Sequence, residues 1–121
     1  MSYSHGDLVV VVDVADLERA ADFWTAVLGY VRAGEPDTYL TLLPQDGPGI
    51  EVLLQLVPDR KSVKNRVHLD LRTPDLDAEV TRVRALGARQ LTDAPIREGG
   101  WVWHVLADPD GNEFCVLRPP G

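Results

Sequence analysis

The sequence predicts an α+β fold built from two βαβββ modules in tandem, and three observations predict it. The order strand, helix, strand, strand, strand occurs twice along the 121 residues. The two runs share landmarks in the same order: Asp16-Leu17 and Asp75-Leu76 open the helices, Leu28-Gly29 and Leu86-Gly87 close them, and Asp46-Gly47 and Asp110-Gly111 precede the last strand of each. Between the runs, Pro58 to Lys64 is charged and poor in strand formers, as a connector is. The expected layout is one domain over residues 1–121, with a first module at about 7–57, a connector at 58–65 and a second module at about 66–118. A repeat of this kind fixes architecture before any single residue does. Two four-stranded units, each with a helix on its convex side, are expected to join their concave faces into a cup.

Each element has its own warrant. Leu8 to Val14, LVVVVDV, is β-branched and apolar on both faces until Asp13, which predicts a central strand. Asp16 can cap a helix whose stripe is Leu17, Ala20, Ala21, Trp24, Val27 and Leu28, and Gly29 can end it in a left-handed cap. Tyr30–Ala33 and Thr38–Leu43 read as strands around the Gly34-Glu35-Pro36-Asp37 turn, and Ile50–Val57 as the fourth strand. In the second run, Arg66–Arg72 reads as a strand and Asp75–Leu86 as a helix with the stripe Leu76, Val80, Val83 and Leu86. Thr73, Pro74 and Asp75 carry its start signals, and Gly87 caps its end. Ala88–Leu91 is a short strand, Thr92–Gly100 a loop, and Trp101–Ala107 and Asn112–Arg118 are strands around Asp108-Pro109-Asp110-Gly111. Pro119-Pro120-Gly121 is expected to be unstructured.

Composition narrows the class. A chain 45% hydrophobic and 26% charged is an ordinary globule. Its net charge of -7 leaves no basic face to displace counterions from phosphates, so nucleic acid is excluded as a partner. The same acidity favours neutral or cationic small ligands. The single Cys115 excludes an internal disulfide and any multi-cysteine metal site. Met1–Asp7 lacks the charged start and long apolar run of a signal peptide, and no stretch approaches the ~20 apolar residues of a membrane span. A cytoplasmic protein without membrane contact is expected.

The candidate site centres on Asn65–Asp75, NRVHLDLRTPD. Val67, Leu69 and Leu71 alternate with Arg66, His68, Asp70 and Arg72, and such a polar row is costly to bury unless it pairs or faces a wet cavity. His68 and Asp70 share a face, where a carboxylate can orient or charge an imidazole for acid–base work or ligand binding. Both are therefore catalytic candidates. A structural hydrogen bond or ion pair explains His68 equally well. Glu51 and Gln55 alternate onto one face of their strand, and Tyr39 can reach the same cavity. Trp101 and Trp103 share one face of theirs, opposite Val102 and His104, and two indoles suit stacking on a flat or cationic ligand. Core packing or a dimer contact competes with that reading. Which face lines the cup is open at this stage.

Three segments carry a family resemblance: DLERAADFWTAVLGY, KNRVHLDLRTPDLDAEVTRVRALGA and ADPDGNEFCVL. From about Leu8 to Arg118 the chain resembles the vicinal oxygen chelate superfamily, which includes glyoxalase I, the extradiol dioxygenases, fosfomycin-resistance enzymes and bleomycin-resistance proteins. It looks most like the glyoxalase-like domain group. The resemblance implies a divalent metal held by the first and last strands of each half, at Val9, Glu51, His68 and Cys115 here. Val9 cannot bind metal and Cys115 stands where glutamate is expected, so no metal or other cofactor is expected, with Glu51, His68 and Cys115 as the weak candidates. Those three could in principle hold zinc. Cys115 is otherwise a packed core residue.

The resemblance implies two classes of function. In the first, a non-catalytic protein of the bleomycin-resistance kind sequesters an aromatic or cationic natural product in a metal-free cup, using Glu51, Gln55, His68, Asp70, Trp101, Trp103, Cys115 and Tyr39. In the second, a metal-dependent enzyme of the glyoxalase or extradiol dioxygenase type polarises vicinal oxygens. Metal-free acid–base catalysis by His68 is a variant of the second. The first is favoured. The resemblance also implies a homodimer, with the modules pairing within one chain or across two.

Overall fold

The computed structural model describes residues 4–121. Met1–Tyr3, part of the stretch read for a signal peptide, lie outside the described residues. Among these, no helix is long and apolar enough to cross a membrane. The chain divides into two compact units, up to Arg60 and from Lys61, so the break falls inside the connector.

The first unit runs β1 (Val9–Val14), α1 (Leu17–Leu28), β2 (Tyr30–Ala33), β3 (Tyr39–Pro44) and β4 (Glu51–Leu56). Its sheet has the order β1-β4-β3-β2, with β1 and β4 parallel and the other pairs antiparallel. Asp16 caps α1 by accepting from the Arg19 N–H at 3.1 Å, and Gly29 ends it at φ 70°, a conformation natural to glycine. The helix buries Leu17, Ala20, Ala21, Phe23, Trp24 and Val27 against one sheet face. Phe23, outside the predicted stripe, meets Trp24 edge-to-face at 5.0 Å, and Leu28 is only half-buried. Arg32 on β2 pairs with Glu18 and Asp22 of α1 at 2.8 and 2.9 Å, tying helix to sheet.

One expectation fails here. β1, expected to be a central strand, ends the ladder and among the described residues pairs with β4 alone. Continuous β-branched residues report apolar surroundings on both faces, and they do not report how many hydrogen-bonded neighbours a strand has.

The second unit repeats the plan with a change: β5 (Leu69–Arg72), α2 (Leu76–Ala85), β6 (Arg89–Gln90), β7 (Ile96–Glu98), β8 (Trp101–Ala107) and β9 (Glu113–Arg118). The order is β5-β9-β8-β6, with β7 also on β8. β6 and β7 thus share the edge that β2 holds alone in the first unit. The Thr92–Gly100 stretch, expected to be a loop, contains β7. Gly99 and Gly100, at φ 57° and 85°, form the two-residue turn joining Glu98 to its partner Trp101. Where the edge breaks, Thr92 substitutes for backbone: its Oγ1 accepts from the Val105 N–H at 3.1 Å.

Three further corrections concern boundaries. The strand expected from Arg66 begins at Leu69, and Val67 is 84% exposed in a bend. The C-terminal cap of α2 is Leu86, in a right-handed conformation, one residue before the expected Gly87, while Asp75 caps the start as expected, accepting from the Ala78 N–H at 3.1 Å. Leu86, counted in the apolar stripe, is exposed just past the helix end, and only Leu76, Val80 and Val83 are buried. The turn after β8 is built around a buried Asp108. Its carboxylate accepts from the N–H groups of Asp110 and Asn112 at 2.9 and 2.8 Å.

Candidate functional site

In each unit one sheet face is covered by the helix and the other is helix-free, and strand alternation decides which side chains stand on the helix-free face. In the second unit the ladder pairs Asp70 with Cys115 and Cys115 with Val105, then Leu117 with Trp103 and Trp103 with Ile96. Val102, His104 and Leu106 alternate onto the buried, helix-covered side. Trp101 and Trp103 share the helix-free face with Asp70, Arg72 and Cys115.

The two indoles are not equivalent. The Arg72 guanidinium lies 5.0 Å from the centre of the Trp101 ring, so a cation already occupies that ring. Trp103 is half-buried and makes no ring or cation contact among the described residues.

His68, Asp70 and Cys115 converge on this face, with one potential ligand atom from each within 4.8 Å of the others. His68 Nε2 is 3.2 Å from Asp70 Oδ1, an ion pair when the imidazole is protonated. Burial pushes the Cys115 thiol up to about 11, and the Asp70 carboxylate adds to this by opposing the thiolate and accepting from the S–H. Lys64 pulls weakly the other way. A thiol in this state is unreactive as a nucleophile at neutral pH.

The donor set can be tested against metals. Imidazole nitrogen, carboxylate oxygen and thiolate sulfur are three zinc ligands of the kind that leave a fourth position open. Bonds of roughly 2.0–2.3 Å in a tetrahedron require donors roughly 3.3–3.8 Å apart, so the His68–Asp70 pair is already near that spacing. The sulfur needs at most a small closure from 4.8 Å. The set suits zinc and suits manganese or magnesium poorly, because those ions prefer all-oxygen shells.

Sequence spacing nominated Glu51, His68 and Cys115; inside the second unit the third donor is Asp70. In the first unit, Glu51 pairs across the ladder with Val9, and Gln55 lies between Asp13 and Tyr39, all on the helix-free face. The rest of that face is mostly apolar, with Val11, Leu53, Val31 and Leu43 beside Thr41.

The ladders also correct the count that equated Glu51 with Cys115. Counted back from the helix caps, Val9 corresponds to His68 and Val11 to Asp70. Val9 pairs with Glu51, but Asp70 pairs with Cys115, so the residue level with Glu51 is Glu113. The segment from the Asp-Gly turn to the last strand is two residues shorter in the second half. Glu113 is not free to serve a ligand. Lys61 Nζ lies 3.1 Å from its Oε1, and the Asn65 N–H donates to the same oxygen at 2.9 Å. Burial would raise this carboxyl, but the Asn65 N–H and the Lys61 ammonium outweigh it and hold it below its ordinary value.

Sequence reasoning missed the Thr92 contact with His104. His104 is buried on the helix-covered face, and its Nδ1 lies 2.8 Å from Thr92 Oγ1. Thr92 Oγ1 also accepts from the Val105 N–H, and the imidazole tautomer decides which of the hydroxyl and Nδ1 is the donor in the contact between them. Gln90 Nε2 donates to the Thr92 carbonyl at 2.7 Å. His104 is thus a structural residue. The Gly99-Gly100 pair was the available signal, since it marks a hairpin that must break the loop.

The sequence model of a glyoxalase-like domain matches residues 9–117. No curated protein matches significantly. Solved structures match over nearly the whole chain. A glyoxalase/bleomycin resistance protein/dioxygenase family enzyme from Burkholderia phytofirmans is 18% identical, covers 93% of this chain and 98% of its own, and has a TM-score of 0.74. A superfamily member from Sphaerobacter thermophilus is 24% identical, with coverage of 93% and 98% and a TM-score of 0.65. A fosfomycin resistance protein, FosX, from Listeria monocytogenes is 16% identical, with coverage of 93% and 88% and a TM-score of 0.74; this structure, of a mutant, is complexed with Mn(II) and 1S,2S-dihydroxypropylphosphonic acid. At these identities the likeness establishes the fold.

Proposed function

The chain belongs to the glyoxalase-like domain family, and from that premise we propose that it is a small-molecule-binding protein that takes a flat aromatic or cationic natural product on the helix-free face of its second unit. The observation that carries this is Trp103, an indole that makes no ring contact among the described residues, on the same face as the Asp70 carboxylate. Aromatic stacking supplies affinity and the carboxylate selects positive charge. Trp101 is assigned a lesser part, because a cationic ligand would have to displace Arg72 from its ring. Drug sequestration by a cytoplasmic homodimer is the biological form of this reading, and its support is the likeness in fold to bleomycin- and fosfomycin-resistance proteins.

The test is a tryptophan-fluorescence titration of chelator-treated protein with bleomycin, whose flat rings and cationic tail match the face. Saturable quenching that is lost in Trp103→Ala and weakened at least about tenfold in Asp70→Asn is expected. Quenching that survives Trp103→Ala would overturn the assignment.

The convergence of His68, Asp70 and Cys115 supports a second reading, a zinc-dependent enzyme of the same family. Bound there, zinc would supply Lewis acidity toward substrate oxygens. The chain's own part would be to hold the ion with His68 and Asp70 and to release the Cys115 proton. Because that thiol titrates near 11, zinc affinity should rise about tenfold per pH unit through neutrality. A zinc titration at several pH values, with Cys115→Ser losing the slope, reads this directly. If bleomycin quenching requires zinc, the metal-dependent reading replaces the first.

A further inference from the structure

The second unit carries a cavity that neither reading uses. It has a volume of about 690 Å³ and lies where β5 runs into α2. Arg72, Thr73 and Pro74 form one wall, Gly100 another, and Arg118 with the Pro119-Pro120-Gly121 tail the rest. The tail has no regular secondary structure, as expected; Pro119 is half-buried, and Pro120, although exposed, lies against Gly100. A Cβ on Gly100 would meet Pro120 Cβ at 3.0 Å, and Gly100 has φ 85°, so this close approach depends on glycine.

The two arginines reach the cavity from opposite faces of the sheet. Arg72 stands on the helix-free face, whereas Arg118 pairs with Val102 and so belongs to the helix-covered face. At the sheet end both line one space. Neither makes an ion pair among the described residues, unlike Arg32 and Arg82. Arg72 is flattened against Trp101, which restricts its side chain without neutralising it. No acidic side chain lines the cavity. The volume is that of a pocket for a compact organic ligand, and the prolines give it apolar walls.

We propose that this cavity is an anion site, taking a small organic molecule whose carboxylate or phosphate group is held between Arg72 and Arg118 and whose apolar body rests on the proline walls. Guanidinium groups suit such oxyanions because their planar donors match two oxygens at once. The proposal rests on residues separate from Trp103 and Asp70, so it stands or falls independently of the ligand assigned to them.

Calorimetric titration of the whole chain with phenyl phosphate and with benzoate tests it, with benzylamine as the cationic control. The expected result is saturable binding of at least one of the two anions, with which benzylamine does not compete. Any benzylamine binding belongs to the Trp103–Asp70 face and should be unchanged in Arg118→Gln. The ratio of the two affinities tells which oxyanion the site prefers. Arg118→Gln should weaken binding about tenfold or more, with Arg118→Lys in between. In nitrogen-resolved NMR spectra the Trp101 indole signal, identified by its loss in Trp101→Phe, should move on anion addition while that of buried Trp24 stays. The absence of saturable binding by either anion would overturn the proposal. So would an affinity unchanged in Arg118→Gln, provided the circular dichroism of the variant matches that of the parent.

Discussion

The two units share a plan and differ in what they expose. In both, a parallel pair joins the first and last strands and an aspartate caps the helix. On the helix-free face the first unit presents Val9, Val11 and Asp13 along its first strand, where the second presents His68, Asp70 and Arg72. The core comparison runs the other way. α1 buries Phe23 and Trp24, whereas α2 buries only Leu76, Val80 and Val83. The unit with the smaller helix core has more of its structure held by polar contacts, at Asp108, Thr92 and Glu113. The same scaffold therefore divides labour: one copy is secured by apolar burial, and the other carries polar chemistry and needs polar supports to hold it.

The largest effect that distinguishes them should come from the turns before the last strands. Asp108 is buried and its carboxylate gathers the N–H groups of Asp110 and Asn112. Asp46, in the corresponding stretch of the first unit, is exposed. Asp108→Ala leaves those donors unpaired and should cost roughly 2–4 kcal/mol. Asp46→Ala should stay within about 0.5 kcal/mol. Urea denaturation of both variants checks the contrast, and equal losses would erase it.

A smaller effect is expected at the broken edge. Thr92→Val keeps the shape of the side chain but removes the acceptor for the Val105 N–H and the partner of His104 Nδ1. A loss of about 1–3 kcal/mol follows. Thr41, half-buried on the unbroken β3, should tolerate the same change within about 1 kcal/mol. Hydrogen exchange at Val105 would accelerate in Thr92→Val, which locates the damage.

These supports explain what was legible in the sequence. Helices and their caps could be read because Asp16, Asp75 and Gly29 act locally, within one turn of chain. Strand alternation gave His68, Asp70, Trp101 and Trp103 as polar or aromatic rows, and it was right that the tryptophans share a face opposite His104. It was silent on which row lay under the helix, because alternation is symmetric between faces and only packing breaks the symmetry. The Arg72–Trp101 stack, the Thr92–His104 contact and the Lys61–Glu113 pair join residues distant in the chain. No local spacing encodes them. The edge position of β1 was hidden for the same reason, since pairing partners are a property of the ladder and not of the strand.

The smallest effect concerns how the connector is attached, and it carries a pH signature. Glu113 fastens Lys61 and the Asn65 backbone to the start of β9, whereas Glu51, at the start of β4, makes no ion pair among the described residues. The Asn65 N–H and Lys61 outweigh burial and lower the Glu113 carboxyl from its ordinary 4.5. A carboxyl lowered by folding contributes stability that is fully present above its unfolded value and is lost as pH falls through the folded one. The native protein should therefore lose this contribution progressively below about pH 4.5. Glu113→Gln removes the charge at every pH and should cost about 1–2 kcal/mol at neutrality, with little further cost on acidification from this site. The difference in stability between parent and variant should then shrink toward zero in acid. Thermal melts of the two proteins across pH 3–7 measure it. A constant gap between parent and Glu113→Gln would mean that this carboxylate holds the connector by shape alone, and the contrast between the two glutamates would then rest on packing, not charge.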